Sequence, residues 1–459
     1  MADLFTSLTS AARALDAHRL ALDVAGHNIA NVNTAGYARR VVDLAALAPG
    51  SADSAGRGVD AVAVRSLRDR LIEDRLYREA PLERREAAIA SALGVVESAL
   101  GRPGESIDVR LDAFFDAFAG LAGDPTSATV RQEVVLQGQN LAAAFRDVAD
   151  RLDRARQDAD RHVRSIADDI NSLTTRIAAL NQSLGRGDLE ASLHVRDEQA
   201  ALVRQLSELT NIAVLTRADG GVDISTGAGR PLVVGETRYT IDVTSTAPSG
   251  FAALSINGAT MTGEITGGSL GGYLAVRDTT IPAYQTELDT LAYEVHQRVN
   301  ALHTAGYDQT GVDAGDFFGY STAPSGVSGA AAALIVDSTV AGDPRKVAAA
   351  AIAQTGDNGT ARAIATLRDD RVLSSNTATF SDVWGQLVYR VGRDVKAATD
   401  ARDSRAAIVR QVETLRDEVS GVSLDEEAMH LLKFQRAYEA NARFFAIIDD
   451  TLEMLLSLG

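Results

Sequence analysis

Histidines are the side chains best suited to metal binding or proton transfer near neutral pH, and this chain has 7 of them. None belongs to an HExxH motif. His296 and His303 share one face of a predicted helix, but no third ligand is evident near them. We therefore interpret the histidines as residues of the surface or of helix–helix contacts, and we predict no metal site.

Two further patterns resemble ligand-binding loops only loosely. The glycine-rich run 263–272 has neither the GxGxxG nor the GxxxxGKS/T spacing, which favours a loop that leads into a helix over a phosphate site. Asp308, Asp313 and Asp316 do not have the spacing of an EF-hand, which favours a turn over a calcium site.

Acidic pairs on the last predicted helix do not form a catalytic constellation. Glu426–Glu427 and Asp449–Asp450 are too far apart along one helix to act as a carboxylate pair. Glu426 and Glu427 instead suit the positive end of the helix dipole. No Ser–His–Asp set is evident, so the sequence predicts no catalytic residue and no cofactor.

Composition narrows the class of protein. The chain has 459 residues and a formal net charge of -17 without a basic block, which makes nucleic acid a poor partner. It has no cysteine, which excludes disulfides and thiolate metal sites. We predict no membrane span, because no apolar run is long enough to cross a bilayer. The first 29 residues lack the basic region of a cleaved secretory signal.

The clearest elements are amphipathic helices at the two ends of the chain. At the C terminus, steps of four and three residues form a heptad seam that includes Leu424, Leu431, Gln435, Tyr438, Phe445 and Leu452. A second stripe beside this seam contains Phe434, Ile448 and Leu455. The N-terminal segment has the same steps at Leu4, Leu8, Leu15, Leu22 and Ile29.

We predict that the two terminal helices pair with each other, because each needs an apolar partner. Leu424, Leu431, Tyr438 and Phe445 are predicted to face the N-terminal helix, and the second stripe to face other proteins. The pattern leaves open which stripe serves which role.

Between the ends, periodicity predicts further helices and an insertion of strands. Helical patterns cover 65–77, 82–100, 107–121, 126–185, 189–209, 270–303 and 380–419. Pro81 is predicted to separate two of these helices, and 380–419 to pack along 126–185. Short β-type runs from 212 to 256 are punctuated by Asp-Gly and Asn-Gly turns.

These patterns predict a mainly α fold with inserted β structure. The N- and C-terminal segments are expected to form an elongated helical bundle or coiled-coil rod, with a small β-rich domain inserted in the middle. The predicted domains are 1–45 plus 420–459 as a terminal assembly domain, 46–210 plus 270–305 plus 345–419 as a helical rod, 211–269 as the β domain, and 306–344 as a Gly-rich extended segment with short strands attached to the rod.

The Asn-rich stop after the first helix resembles a known signature. Residues 27–39 read HNIANVNTAGYAR, which is similar to the N-terminal signature of bacterial flagellar rod, hook and hook-associated proteins and contributes Asn28, Asn31, Asn33, Thr34, Gly36 and Tyr37. Residues 422–443 resemble the C-terminal signature of the same families. The long helical middle and the run 268–278 resemble the flagellar hook-associated protein 1 family in particular. Ala35 and Ala38 stand where that family commonly has Pro and Ser.

The resemblance implies a structural subunit at the junction of hook and filament in the flagellum, the organelle of motility. It implies no enzymatic role. The implied partners are further copies of itself in a ring, the hook protein, the second junction protein, the filament cap, and a cytoplasmic export chaperone that holds the C-terminal helix. The implied location is the extracellular flagellum, reached through the flagellar type III secretion apparatus without a cleaved signal.

Three alternatives are weighed against this interpretation. A flagellar hook or rod subunit would share both signatures but would turn to β structure soon after its first helix. An enzyme-bearing flagellar protein would need a catalytic constellation between 212 and 343, where none is evident. A coiled-coil signalling or adhesin protein would explain the heptads but not the signature at 28–39.

Overall fold

Long helices dominate the computed structural model, which describes residues 2–34, 36–48, 58–100, 106–184 and 189–457. The helices are α1 (Ala2–Ala30), α2 (Arg70–Leu100), α3 (Ile107–Gly123), α4 (Ala128–Leu184), α5 (Leu189–Leu209), α6 (Gly268–Ala275), α7 (Ile281–His303), α8 (Ala330–Ala333), α9 (Ser338–Gly342), α10 (Gly359–Thr366), α11 (Phe380–Ser420) and α12 (Leu424–Ser457). A short π-helix, Val276–Thr280, joins α6 to α7.

The strands form small antiparallel sheets. They are β1 (Arg40–Ala46), β2 (Val59–Ser66), β3 (Ile212–Thr216), β4 (Val222–Thr226), β5 (Pro231–Val234), β6 (Thr237–Arg238), β7 (Ile241–Ser245), β8 (Ala252–Ile256), β9 (Ala259–Thr260), β10 (Phe318–Tyr320) and β11 (Leu334–Val336). The sheet orders are β1-β2, β3-β4-β5-β6, β7-β8-β9 and β10-β11. The predicted fold class, mainly α with an inserted β region, is confirmed.

Helix α4 is the spine of the molecule. It has 57 residues and is therefore about 85 Å long. Its residues up to Ala155 lie in one hydrophobic core with α3, α7, α10 and α11, while those from Val163 lie in a second core with α5, α6 and the inserted strands. The apolar residues of α4 follow each other at steps of four and three residues, with an extra step of four from Ala159 to Val163. This extra step, a stutter, rotates the apolar face and lies where the helix changes from the first core to the second.

A buried ion pair ties the inserted strands to this spine. The Arg277 guanidinium donates to an Asp160 carboxylate oxygen and to the carbonyl of Ala252 at 2.9 Å. Burial alone would raise the pKa of Asp160, but hydrogen bonds from the Ala252 amide, Arg164 and Arg277 outweigh it and hold the pKa below its usual value. The carboxylate therefore stays charged and keeps β8 against α4.

Two helix predictions are wrong in detail. Pro81 does not separate two helices: it is buried inside α2, which runs unbroken between α6 and α11, so packing on both sides offsets the lost backbone hydrogen bond. Helix α11 packs along α2 and not along α4, because the apolar face of α4 is already covered by α3, α5 and α7.

The remaining segments are shorter. Residues 306–344 contain the β10-β11 hairpin, α8 and α9, and their Phe317 and Phe318 are fully buried in the first core. Within the described residues, no helix combines the length and the apolar character that a membrane crossing needs.

Candidate functional site

The terminal helices α1 and α12 pack against each other in antiparallel directions. Asn28, near the end of α1, contacts Glu427, near the start of α12, and the rings of His18 and Phe434 lie 6.2 Å apart further along the pair. The predicted pairing of the two ends is therefore present in the structure.

Small residues form the buried face of α1, which differs from the predicted leucine seam. Its most buried side chains are Ala11, Ala14, Ala17, Ala21 and Ala25. The predicted Leu4, Leu8, Leu15, Leu22 and Ile29 are only half-buried. Helix α1 contacts both α12 and the β1-β2 hairpin, and its most buried side chains are these small alanines.

The assignment of faces on α12 is also corrected. Ile448 and Leu452 are buried and Leu431, Phe434 and Phe445 are half-buried, so the stripe predicted to face other proteins contributes Phe434 and Ile448 to the intramolecular pair. Leu424, Gln435 and Tyr438 are exposed. The side chain of Leu455 lies outside the described residues. The helix is rotated from the predicted orientation because Glu427 must face α1 to reach its polar partners.

Asn28 is the centre of a cluster of polar side chains where the end of α1 meets the start of α12. We call this cluster, which also contains Tyr37, Arg39, Arg40 and Glu427, the polar node. Asn28 is 1% exposed, and all four hydrogen-bonding positions of its amide are used. Its Nδ2 donates to the Arg40 carbonyl at 2.9 Å and to Glu427 Oε2 at 3.0 Å. Its Oδ1 accepts from the Arg40 amide and from the Tyr37 hydroxyl, each at 2.9 Å. Asparagine is therefore specified here, since neither aspartate nor leucine could satisfy these partners.

Arg39 links the signature to the start of α12. Its Nε donates to Glu427 Oε1 at 2.7 Å and its Nη1 to Glu426 Oε2 at 2.9 Å. The Arg39 amide also donates to the carbonyl of Ser420, the last residue of α11. Glu427 is 2% exposed, so this pair is a buried contact and not a surface one.

Arg40 connects the node to the helical body. Its Nη2 donates to Asp197 Oδ2 on α5 at 3.0 Å, and Arg68 donates to the other oxygen of that carboxylate at 2.8 Å. Burial raises the pKa of Tyr37 to about 12; the charge of Arg40 opposes this shift, and those of Asp197 and Glu427 add to it. The tyrosine is therefore a neutral donor at physiological pH.

The other signature residues shape the turn. Asn31 Nδ2 donates to the His27 carbonyl, and Thr34 Oγ1 donates to Asn31 Oδ1. Gly36 has a φ of 82°, and a Cβ there would lie 3.4 Å from Ala201 Cβ. Asn33 is exposed. The sequence indicated these residues but not Glu427 and Asp197 as their partners, because nothing in a local pattern marks a carboxylate as buried.

The histidines considered for metal binding have other roles. His303 is fully buried: its Nδ1 lies 2.6 Å from the Gly315 carbonyl and its Nε2 accepts from the Ala348 amide at 2.8 Å. Burial lowers the pKa of His303 to about 4. His296 stacks on Tyr320 with ring centroids 4.4 Å apart. Neither imidazole is arranged as a ligand, and the described residues contain no His/Cys/Asp/Glu cluster that could hold a metal ion.

The glycine and aspartate loops are likewise structural. A Cβ at Gly268 would lie 2.2 Å from the Leu209 backbone, and one at Gly272 would lie 2.5 Å from the Arg85 carbonyl, so these glycines permit close helix packing. Asp308 accepts from Lys346 at 2.8 Å and from the amides of its own turn. These hydrogen bonds outweigh burial and hold the pKa of Asp308 at about 2.

Comparisons with known proteins agree with this architecture. The family model of the flagellar hook-associated protein FlgK helical domain matches residues 93–318. Those of the flagella basal body rod protein and of the flagellar basal body rod FlgEFG protein C-terminal match residues 8–37 and 416–458, the two terminal helices. The fold is similar to that of the flagellar hook junction protein FlgK from Burkholderia pseudomallei, with a TM-score of 0.68 and 14% identity over 76% of this chain and 100% of that one.

Full-length relatives give the family. Flagellar hook-associated protein 1 of Bacillus subtilis is 25% identical, with 100% of this chain and 99% of the relative covered, and that of Escherichia coli is 22% identical, with 98% and 99% covered. The node and the paired ends thus belong to a structural protein of the bacterial flagellum. Along its whole length the chain is similar to the flagellar hook-associated protein 1 family. That family is structural, which agrees with the prediction that the chain is not an enzyme.

Proposed function

We propose that this chain joins the flagellar hook to the filament and assembles through α1 and α12. The observation that carries the proposal is the two-sided character of α12. One face is held against α1 by the Asn28–Glu427 node, while the opposite face exposes large apolar side chains such as Met429 and Ile447. A helix with apolar residues on two faces suits a subunit that is completed by its neighbours.

The finer partners are those that the resemblance to the flagellar hook-associated protein 1 family implies. We propose that copies of the chain form a ring through α1 and α12, with the hook protein on one side and the second junction protein on the other, beneath the filament cap during assembly. Before assembly, a cytoplasmic export chaperone would cover the exposed face of α12. The chain would reach the extracellular flagellum through the type III apparatus.

The domain organisation supports this division of labour. We propose that the terminal segments, 1–45 and 420–459, form the assembly unit. The helical rod made of 46–210, 270–305 and 345–419 carries this unit together with the attached segment 306–344, and the strands of 211–269 form an inserted β domain that packs on α4, α5 and α6 of the rod. The Arg39 and Arg40 ion pairs would then transmit the orientation of the assembly unit to the rod, since they reach α12 and α5.

Deletion of the gene tests the proposal. We expect cells with hooks but no filaments, and filament protein released into the medium, with both restored by the wild-type gene. Electron microscopy of isolated hooks gives the result. Cells that keep their filaments would overturn the proposal, and cells that lose the hook itself would favour the alternative of a hook or rod subunit.

A further inference from the structure

The outer faces of α12 and α1 carry exposed pairs of oppositely charged side chains at the same spacing. We propose that the exposed stripe of α12 in one copy docks against the outer face of α1 in the next copy, so that each α12 lies between two α1 helices. This inference rests on the proposed function, and it names the two surfaces through which copies meet.

The α12 side of this contact is an apolar stripe with two arginines. Met429 is 62% exposed, Leu432 55% and Ile447 63%. Arg436 and Arg443 lie between them on the same side of the helix, opposite to Glu427, Phe434 and Ile448. Both arginines are exposed, and neither forms an ion pair with any residue that the structure describes.

The α1 side is a largely apolar cleft whose polar lining is Asp23, His27 and Arg40. The cleft has a volume of about 620 Å³ and lies between α1, β2 and α5; its apolar lining includes Leu20, Val24, Val64 and Leu193. Asp23 lies at this cleft, and Asp16 lies two turns earlier on the same side of α1. Both aspartates are exposed, and in the described part of the chain neither has an ion-pair partner.

The charges have the same spacing on the two helices. Asp16 and Asp23 are separated by seven residues, as are Arg436 and Arg443, which corresponds to about 10.5 Å along each axis. Copies related by rotation about an axis along the helices keep α1 and α12 antiparallel. In that orientation Asp23 meets Arg436 and Asp16 meets Arg443, and the same alignment places Met429 opposite Ala30.

This alignment also gives the offset between copies. Within one copy Asn28 is level with Glu427, so Asp23 is level with residue 432. The intermolecular pairing instead brings Asp23 to Arg436, a shift of about four residues or about 6 Å. A tilted ring or a shallow spiral of copies accommodates that shift.

Cysteine cross-linking tests the contact directly, because the chain has no cysteine of its own. Purified full-length protein carrying Ala30→Cys and Met429→Cys would be added to hooks isolated from the deletion strain and then oxidised. We expect a ladder of disulfide-linked dimers, trimers and larger species on a non-reducing gel. The matched control carries Ala30→Cys and Ile447→Cys, whose partners would lie about 27 Å apart in the proposed alignment; it should give no ladder.

Charge reversal tests the alignment independently. Introduced into the Ala30→Cys, Met429→Cys protein, Asp16→Lys with Asp23→Lys, or Arg436→Glu with Arg443→Glu, should each lower the cross-linked yield about tenfold. A mixture of the two variants should restore the ladder, because each reversed face then meets its opposite charge. All four substitutions in one chain should restore it as well.

The outcomes separate the inference from the function on which it rests. Protein that adds to hooks but gives no ladder, or gives one with the control pair, overturns the contact and leaves the junction function standing. Charge-reversed variants that keep the ladder but lose binding to the export chaperone identify the chaperone as the occupant of the stripe and also overturn it. Protein that does not add to hooks at all overturns both proposals.

Discussion

The helical body and the terminal helix pair bury their apolar residues in different ways. In the body, Phe114 is fully buried, and its ring centroid lies 5.2 to 5.4 Å from those of Phe115, Phe118, Phe317 and Phe318. In the terminal pair, the buried face of α1 consists of alanines, while Met429 and Ile447 on α12 remain exposed. The body completes its core within one chain, whereas the terminal pair leaves large apolar side chains exposed.

Removal of a body phenylalanine should have the largest effect. Phe114→Ala should lower the free energy of unfolding by about 3–5 kcal/mol, because the other aromatic rings cannot close the cavity. Urea unfolding followed by circular dichroism measures it. Phe444→Ala on α12 is the matched control: its ring is 49% exposed, so the loss should be within about 0.5 kcal/mol. Equal losses from both variants would remove the distinction between the two regions.

Disruption of the polar node should have a smaller and more local effect. Asn28→Asp removes two donors and brings a second carboxylate against buried Glu427, so pairing of α1 and α12 should weaken by about 2 kcal/mol. Hydrogen exchange should quicken in both terminal helices and stay unchanged in α4. Asn33→Asp adds the same charge at an exposed position and should change neither. Faster exchange across α4 would show that the node also stabilises the body.

Acid should lower the free energy of unfolding of the helical body through His303. The loss should be comparable to, or smaller than, the effect of Asn28→Asp on the terminal pair. The folded pKa of His303, about 4, lies below its ordinary value of 6.5, so the unfolded chain binds a proton that the folded chain refuses. This contribution to stability is complete above pH 6.5 and is lost as the pH falls towards 4. Between pH 7 and pH 5 we expect a loss of about 1–2 kcal/mol from this residue.

Substitution isolates this effect. His303→Gln should make the free energy of unfolding, measured with urea at both pH values, depend less on pH, although it lowers stability at pH 7. His162→Gln, at an exposed position, should leave the pH dependence as in the wild type. An unchanged slope in His303→Gln would assign the acid sensitivity to another group.

The elements of the fold could largely be predicted from the sequence. Periodicity located α4, α5, α11 and α12 and the inserted strands, because each element's pattern lies within its own residues. The predicted break at Pro81 is wrong because the outcome there depends on residues far away in the chain. Packing of α6 and α11 against α2, a long-range effect, outweighs the local cost of a proline inside a helix.

The site was predicted in part. The signature residues Asn28, Gly36 and Tyr37 do lie together, but their assembly role remains a proposal. The faces of α12 could not be derived, because Leu431, Phe434, Phe445 and Ile448 are all compatible with a heptad. The orientation is set by Glu427, which the sequence presents as an ordinary acidic residue at a helix start.

The sequence by itself determined the helices, the strands, the turn after α1 and the absence of cysteine chemistry, since these depend on residues close together in the chain or on composition alone. Only the tertiary structure decided that alanines and not leucines line α1, that α11 packs on α2, and that Asn28 meets Glu427. These outcomes depend on which surfaces compete for one partner. Rotation of α12 to bury Glu427 is also what leaves Met429, Leu432 and Ile447 exposed on its opposite face.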